Sequence, residues 1–179
     1  LRGAINSTAE LVGIRNPDGT LINDPTALIG LSSVSASATF TPAASSHTAP
    51  ACNGAAAAFA FAAPSGSRLM ITTATLEIDG GAAEATAWRL YLYNVTPPSA
   101  LSDTTAFDLP SGDRASFLGY VDLGTAVDLG STQWVELSAG TINKQIKLAG
   151  TGVFGYLVNL TTLTPAAVAH IVTLHAVVV

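Results

Sequence analysis

The sequence predicts an all-β protein, an antiparallel β-sandwich of the jelly-roll type with an extended N-terminal arm. From Thr39 onward, eight or nine short apolar runs are each bounded by Gly, Pro, Asp or Asn, and none shows the 3.6-residue period of an amphipathic helix. The connections between these runs are too uneven for the uniform hairpins of an up-and-down barrel, which favours a jelly roll. The longest connection, Val95 to Ala115, is unusual in a compact domain unless it binds something or is held by a neighbour.

The run from Thr86 to Asn94, TAWRLYLYN, is predicted to be a central strand, because successive side chains of a strand point to opposite faces. Its two faces differ in chemistry: one carries Trp88, Leu90 and Leu92, and the other carries Arg89, Tyr91 and Tyr93. A strand whose second face is also aromatic is expected to be covered on both sides.

The other predicted strands follow from the same reasoning. They lie around Phe40 and Phe59/Phe61, and over Leu69 to Ile78, Ser116 to Leu123, Gln133 to Leu137, Ile142 to Leu148, Gly152 to Leu163 and Ala169 to Val179. The last two are apolar on both faces, which indicates a central position in the sandwich or a contact between subunits.

Residues 1–35 are predicted to be an arm and linker, and residues 36–179 the sandwich domain. Asn16-Pro17-Asp18-Gly19 is typical of a hairpin turn, and the Ser/Ala-rich stretch Ser32 to Ala38 has the composition of a linker. An arm of this length cannot build its own core, so it is expected to lie on another surface. A frayed terminus is the alternative.

The composition predicts a chain whose surface is covered by partner subunits in an assembly. Only 11% of the residues are charged while 49% are hydrophobic, and globular proteins usually have about 25% charged residues. The formal charge is −5 and the seven basic residues are scattered, so nucleic acid is not an expected partner. Cys52 is the single cysteine, which fits assembly in a reducing cytoplasm.

No membrane association is expected. The apolar run from Ala55 to Ala63 is far shorter than the roughly 20 residues of a membrane-spanning helix. The first residues also lack the basic and apolar regions of a signal peptide.

Motifs that could carry chemistry are each better explained as structure. Gly150 to Gly155 matches G-x-G-x-x-G, but the β-rich run Tyr156 to Leu160 follows it, which predicts a turn with a glycine bulge leading into a strand. The carboxylate pairs Asp108/Asp113 and Asp79/Glu84 are candidates for glycan hydrolysis, yet both flank Gly-containing turns.

The three histidines are predicted to be structural or interfacial. His170 and His175 point to opposite faces of one strand, and His47 lies in a polar linker, so no metal site is predicted. We therefore expect no catalytic residues, no cofactor and no enzyme activity.

Three stretches extend from Thr86 to the C terminus: TAWRLYLYNVTPPSAL, DLPSGDRASFLGYVDLGTAVDLGSTQWVE and NKQIKLAGTGVFGYLVNLTTLTPAAVAHIVTLHAVVV. Because of these three stretches, the chain from about Phe40 to Val179 resembles a group of structural proteins from the virions of tailed bacteriophages. The resemblance implies a small β-sandwich placed on or near a capsid and transfers no site residues. It leaves open whether such a protein decorates the capsid, forms a head fibre or belongs to the tail.

Sequence and resemblance together predict a capsid decoration, or cement, protein on the exterior of the virion, assembled in the host cytoplasm. Its expected partners are the major capsid protein and further copies of itself, in a homotrimer. The predicted interface residues are Leu11, Ile14, Leu21, Ile22, Leu28 and Ile29 of the arm, and Tyr91, Tyr93, Ile171 and Val177 of the sandwich. The alternative is a glycan-binding tail or head-fibre module, which requires exposed aromatic platforms such as Tyr91 or Tyr93 beside polar loops.

Overall fold

The computed structural model describes residues 33–81 and 83–179, and this part of the chain folds into strands without any helix. The strands are β1 (Ser33–Phe40), β2 (Ala51–Cys52), β3 (Ala57–Ala60), β4 (Arg68–Ile78), β5 (Ala87–Tyr93), β6 (Phe117–Thr125), β7 (Val127–Asp128), β8 (Gln133–Leu137), β9 (Lys144–Lys147), β10 (Gly152–Asn159) and β11 (His170–Val178). The described residues thus contain no helix long and apolar enough to cross a membrane.

The strands form two antiparallel sheets. The six-stranded sheet has the order β1-β11-β4-β8-β7. The remaining strand, β9, pairs with β4, as β8 does. The five-stranded sheet has the order β2-β10-β5-β6, with β3 also paired to β10. The predicted all-β antiparallel sandwich is confirmed, whereas its jelly-roll connectivity stays a prediction.

The core lies between the two sheets. Trp88, Leu90 and Leu92 of β5 are fully buried there, and they pack with alternate residues of β4 and β11 such as Leu76 and Leu174. The prediction that β5 is a central strand is confirmed, since β10 and β6 flank it. Both β10 and β11 also have partners on two sides and are central strands of their sheets.

One part of the predicted boundary was wrong. The stretch interpreted as linker, Ser32 to Ala38, includes most of β1, which pairs with β11 over all eight residues from Ser33 to Phe40. Ala36 and Ala38 face the core, while Ser35 and Ser37 are exposed. The alternation is that of a strand, but the side chains are so small that the composition resembled a linker.

A third layer covers the outer face of the five-stranded sheet. The covering loop, residues 94–116, lies over β5 and β10 and forms a second hydrophobic cluster with them. Its members include the buried Cys52, Tyr93, Tyr156 and Val158, with Tyr91, Leu101, Phe107, Leu109, Phe117 and Phe154 packed against them. The long connection is therefore held by its own sheet.

Asp103 fastens the covering loop to the β1-β2 connection. Its Oδ1 accepts hydrogen bonds from His47 Nε2 at 2.9 Å and from the Gly54 N–H at 2.7 Å, and its Oδ2 accepts one from the Ala43 N–H at 3.0 Å. Burial alone would raise the pKa of Asp103, but these hydrogen bonds outweigh it and hold the pKa below its usual value. His47 lies in the connection between β1 and β2, and its side chain is fully buried there.

Candidate interaction surfaces

The outer face of the five-stranded sheet is largely closed by the chain itself. The ring of Tyr91 stacks on Phe107 of the covering loop, with centroids 3.6 Å apart and planes 14° apart. Tyr93 is fully buried beneath the same loop. The prediction that Tyr93 lies between protomers was therefore wrong, because the loop already covers it, and Tyr91 is half-buried in the same way.

Hydrogen bonds hold this cover in place along its length. The Tyr156 hydroxyl accepts from the Leu101 N–H and donates to the Ser99 carbonyl, both at 3.0 Å. The Cys52 backbone pairs with Thr104 and Thr105 of the loop, at 2.9 Å in each direction. Because the loop fixes both polar and aromatic groups of β5 and β10, this part of the face offers little surface to a partner.

The outer face of the six-stranded sheet has a different character. One cross-strand row on it consists of Thr39, Ile171, Glu77, Trp134 and Val127. Ile171, Glu77 and Trp134 of this row are half-buried, and Val127 at its end is 62% exposed. The face therefore carries apolar and hydroxyl side chains together with the carboxylate of Glu77.

The next rows continue the pattern. Ser37, Thr173, Thr75 and Glu136 form one, and Ser33, Val177, Met70 and Gln145 form another. The predicted interface residues Ile171 and Val177 thus lie on this outer face and are half-buried. Their contact with a second protomer stays a prediction.

The edge of this sheet at β1 is long and regular. Its pairing with β11 has no bulge, and its residues, SVSASATF, include neither a charged residue nor a proline. No other described strand pairs with β1. Natural proteins usually protect such an edge with charges, prolines or bulges, because its unpaired N–H and C=O groups can add a further strand.

The arm residues of the predicted interface fall outside the described residues. These are Leu11, Ile14, Leu21, Ile22, Leu28 and Ile29. Their role stays a prediction, as does the arm itself.

The buried histidines each lie within hydrogen-bond distance of a carboxylate. His170 Nε2 lies 2.9 Å from Glu84 Oε2, and its Nδ1 lies 3.1 Å from the Val168 carbonyl. The Glu84 Oε1 atom accepts from the Ala166 N–H at 2.9 Å. This arrangement joins the connection before β11 to that before β5.

The other motifs are explained by packing. Gly152 opens β10, and a Cβ there would collide with the Phe59 carbonyl, while a Cβ at Gly155 would come within 3.1 Å of the Phe59 ring. The predicted turn into a strand is confirmed, but β10 pairs without a register shift, so it has no bulge. Among the described residues, no three of His, Cys, Asp and Glu lie close enough together to hold a metal ion.

Sequence reasoning missed one further feature, a groove beside β6. Tyr120 of β6 is 48% exposed and lines this groove together with Lys144 of β9. The only signal in the sequence was Gly119, which has a φ of +90° and whose lack of a Cβ leaves space for the lysine side chain.

No protein-family model matches the chain, and no curated protein matches it either. The resemblance to virion proteins therefore stays a prediction, and the surfaces themselves have to support any function.

Proposed function

We propose that this chain is a non-enzymatic structural protein of a virion, which decorates and stabilises the capsid of a tailed phage from the outside. Its partners in this proposal are the major capsid protein and two further copies of itself in a homotrimer. No cofactor takes part. The family resemblance supplies the virion setting, and the surfaces described above support the mode of assembly.

The observation that carries this proposal is the open edge at β1. Eight regularly paired residues without charge, proline or bulge make an edge that readily accepts another strand. Main-chain hydrogen bonds along such an edge give affinity, and the alternating side chains give specificity. A protein that lives in an assembly keeps such an edge because a neighbour occupies it.

The adjoining outer face supports the same proposal. Neither β1 nor its neighbour β11 contains a single Lys, Arg, Asp or Glu. A surface of Ser, Thr, Ile and Val is poorly solvated compared with a charged one, so its burial against a partner costs little desolvation. The N-terminal residues, which join β1 directly, are the proposed bridge to a neighbouring chain.

Locating the protein in intact particles tests the placement. Cryo-electron microscopy of virions should show density for the sandwich on the capsid shell, at positions between capsomers. Density on the tail alone would contradict decoration.

A charge placed on the β1 edge tests the mode of assembly. Ser37 is exposed in the middle of β1, so Ser37→Lys should lower occupancy on particles that lack the protein, without unfolding the sandwich. Thr125→Lys is the matched control, because Thr125 is exposed at the end of β6 in the other sheet. Equal occupancy of the two variants would show that attachment does not use β1.

A further inference from the structure

A groove runs along the outer side of β6, where the two sheets part. Its volume is about 380 Å³, which is enough for one or two sugar rings. Five polar or aromatic side chains reach it: Tyr120, Asp122, Thr141, Asn143 and Lys144. Sites for small molecules are usually concave and have a few polar groups of this kind.

Lys144 brings an unpaired positive charge to this groove. It has the same parity on β9 as the buried Ile146, so its side chain points between the sheets rather than into solvent. Its Nζ lies 2.7 Å from the position that a Cβ of Gly119 would occupy. Burial lowers the pKa of Lys144, and its side chain makes no hydrogen bond or ion pair with another of the described residues.

The neighbouring carboxylate does not neutralise this lysine. Asp122 Oδ1 accepts from Arg89 Nε at 2.6 Å, so the charge of Asp122 is balanced by its own partner. The groove therefore keeps one uncompensated positive charge in a partly desolvated position. An anion that binds beside Lys144 would restore the interactions that the ammonium group has lost with water.

Tyr120 adds an aromatic surface to the same groove. The guanidinium carbon of Arg89 lies 4.1 Å from the centre of its ring, which fixes the orientation of the ring through a cation-π contact. A rigid aromatic side chain loses little entropy on binding, and its face packs well against the C–H groups of a pyranose ring.

We propose that this groove binds a saccharide that carries a carboxylate, such as a uronic acid. Lys144 pairs with the carboxylate, Tyr120 stacks on the sugar ring, and Thr141 and Asn143 hydrogen-bond its hydroxyl groups. This inference goes beyond capsid decoration and does not depend on it. A decoration protein with such a groove would hold acidic polysaccharide at the particle surface.

Other ligands fit the groove less well. A phosphate group usually takes several donors, such as a guanidinium fork or a row of backbone N–H groups, whereas this groove offers one ammonium group. An added peptide strand is disfavoured because β6 carries two register shifts and two positive-φ glycines, Gly119 and Gly124.

Isothermal titration with a matched pair of sugars tests the proposal directly. The probes are a tetrasaccharide of galacturonic acid and its fully methyl-esterified form, which keeps the rings and removes the charge. We expect saturable binding of the acid, weaker by about tenfold or more for the ester, because one charged hydrogen bond is lost. Binding of the acid should also weaken as salt is added.

Variants assign the effect to the groove. Lys144→Met keeps the apolar stem and removes the charge, so it should weaken binding of the acid to the level of the ester. Lys147→Met is the control, because Lys147 is exposed on the opposite face of the same strand. Tyr120→Ala should also weaken binding about tenfold, while Tyr120→Phe should retain it.

Three results would overturn the inference: equal binding of acid and ester, undiminished binding of the acid by Lys144→Met, or no binding of the acid at millimolar concentration. If Lys144→Met does not fold, the acid and ester titrations of the natural protein still decide. None of these results bears on the attachment of the protein to capsids.

Discussion

The outer faces of the two sheets both carry apolar side chains, but they differ in what covers those side chains. The five-stranded sheet presents large aromatic side chains, and the chain covers them with residues 94–116. The six-stranded sheet presents Ser and Thr on β1 and Ile, Thr, His and Val on β11, and these side chains are exposed or half-buried among the described residues. One face is closed within the chain, and the other is left for solvent or for a neighbour.

This difference shows that an apolar outer face of a strand can have two explanations. A face rich in Tyr and Phe needs immediate burial, because each such ring removes a large area from water. A face of Ser, Thr and scattered aliphatic residues tolerates exposure in the isolated chain and still packs closely when a partner arrives. The same low charge content therefore serves folding in one sheet and, in our proposal, assembly in the other.

Removal of Asp103 should have the largest effect on the covered face. Asp103→Ala deletes three hydrogen bonds and leaves the buried His47 without its carboxylate. We expect the free energy of unfolding to fall by about 3 kcal/mol, as measured by urea titration. Asp108→Ala, at an exposed position of the same loop, is the control and should change it by less than about 0.5 kcal/mol. Equal effects would show that Asp103 does not anchor the loop.

Truncation of one apolar side chain on each face compares them directly. Phe107→Ala removes the ring that stacks on Tyr91 and should cost about 2 kcal/mol in the isolated protein. Ile171→Ala, on the uncovered face, should cost about 1 kcal/mol or less, because its side chain is only half-buried there. A larger loss for Ile171→Ala would mean that the uncovered face is already packed within one chain.

The pH dependence of the free energy of unfolding should depend on the hydrogen bonds of Asp103. Because the folded-state pKa of Asp103 is lowered, its stabilisation is fully present above the unfolded-state pKa of about 3.9 and is lost as the pH falls through the folded-state value. Urea titrations at pH 7 and at pH 3 should therefore show a gap between the natural protein and Asp103→Asn that narrows at low pH. A difference in the free energy of unfolding that is the same at both pH values would contradict the stabilising role assigned to the Asp103 carboxylate.

The smallest expected signal is the reactivity of Cys52. Burial, with a further contribution from Asp103, raises the pKa of its thiol to about 12. The folded protein should therefore react with a thiol reagent at pH 8 far more slowly than the unfolded chain. Asp103→Ala should be labelled faster than the natural protein, because it loses both the anchor of the covering loop and the carboxylate that helps to raise the thiol pKa. Rapid labelling of the natural protein would mean that the loop does not protect this sheet.

The sequence allowed the core to be predicted where side chains were large. The alternation of Trp88, Leu90 and Leu92 with polar or aromatic residues identified β5 and its orientation, since only a strand separates two chemistries with a period of two. In β1 the same alternation involved Ser and Ala, which differ too little in hydrophobicity to be distinguished from a linker.

The candidate surfaces were harder to predict because they depend on distant segments. Nothing near Tyr93 indicates that residues 94–116 fold back over it. Likewise, Lys144 and Gly119 are brought together only when the two sheets pack. Strand period predicts which side chains share a face, but it does not predict what covers that face.

Hydrogen-deuterium exchange of the protein, free and bound to particles, tests the central claim most directly. If the six-stranded sheet makes the contacts, amides of Ser33–Phe40 should exchange more slowly after binding, while those of residues 94–116 should not change, since the chain already holds them. New protection of residues 94–116 together with unchanged exchange in Ser33–Phe40 would contradict the account.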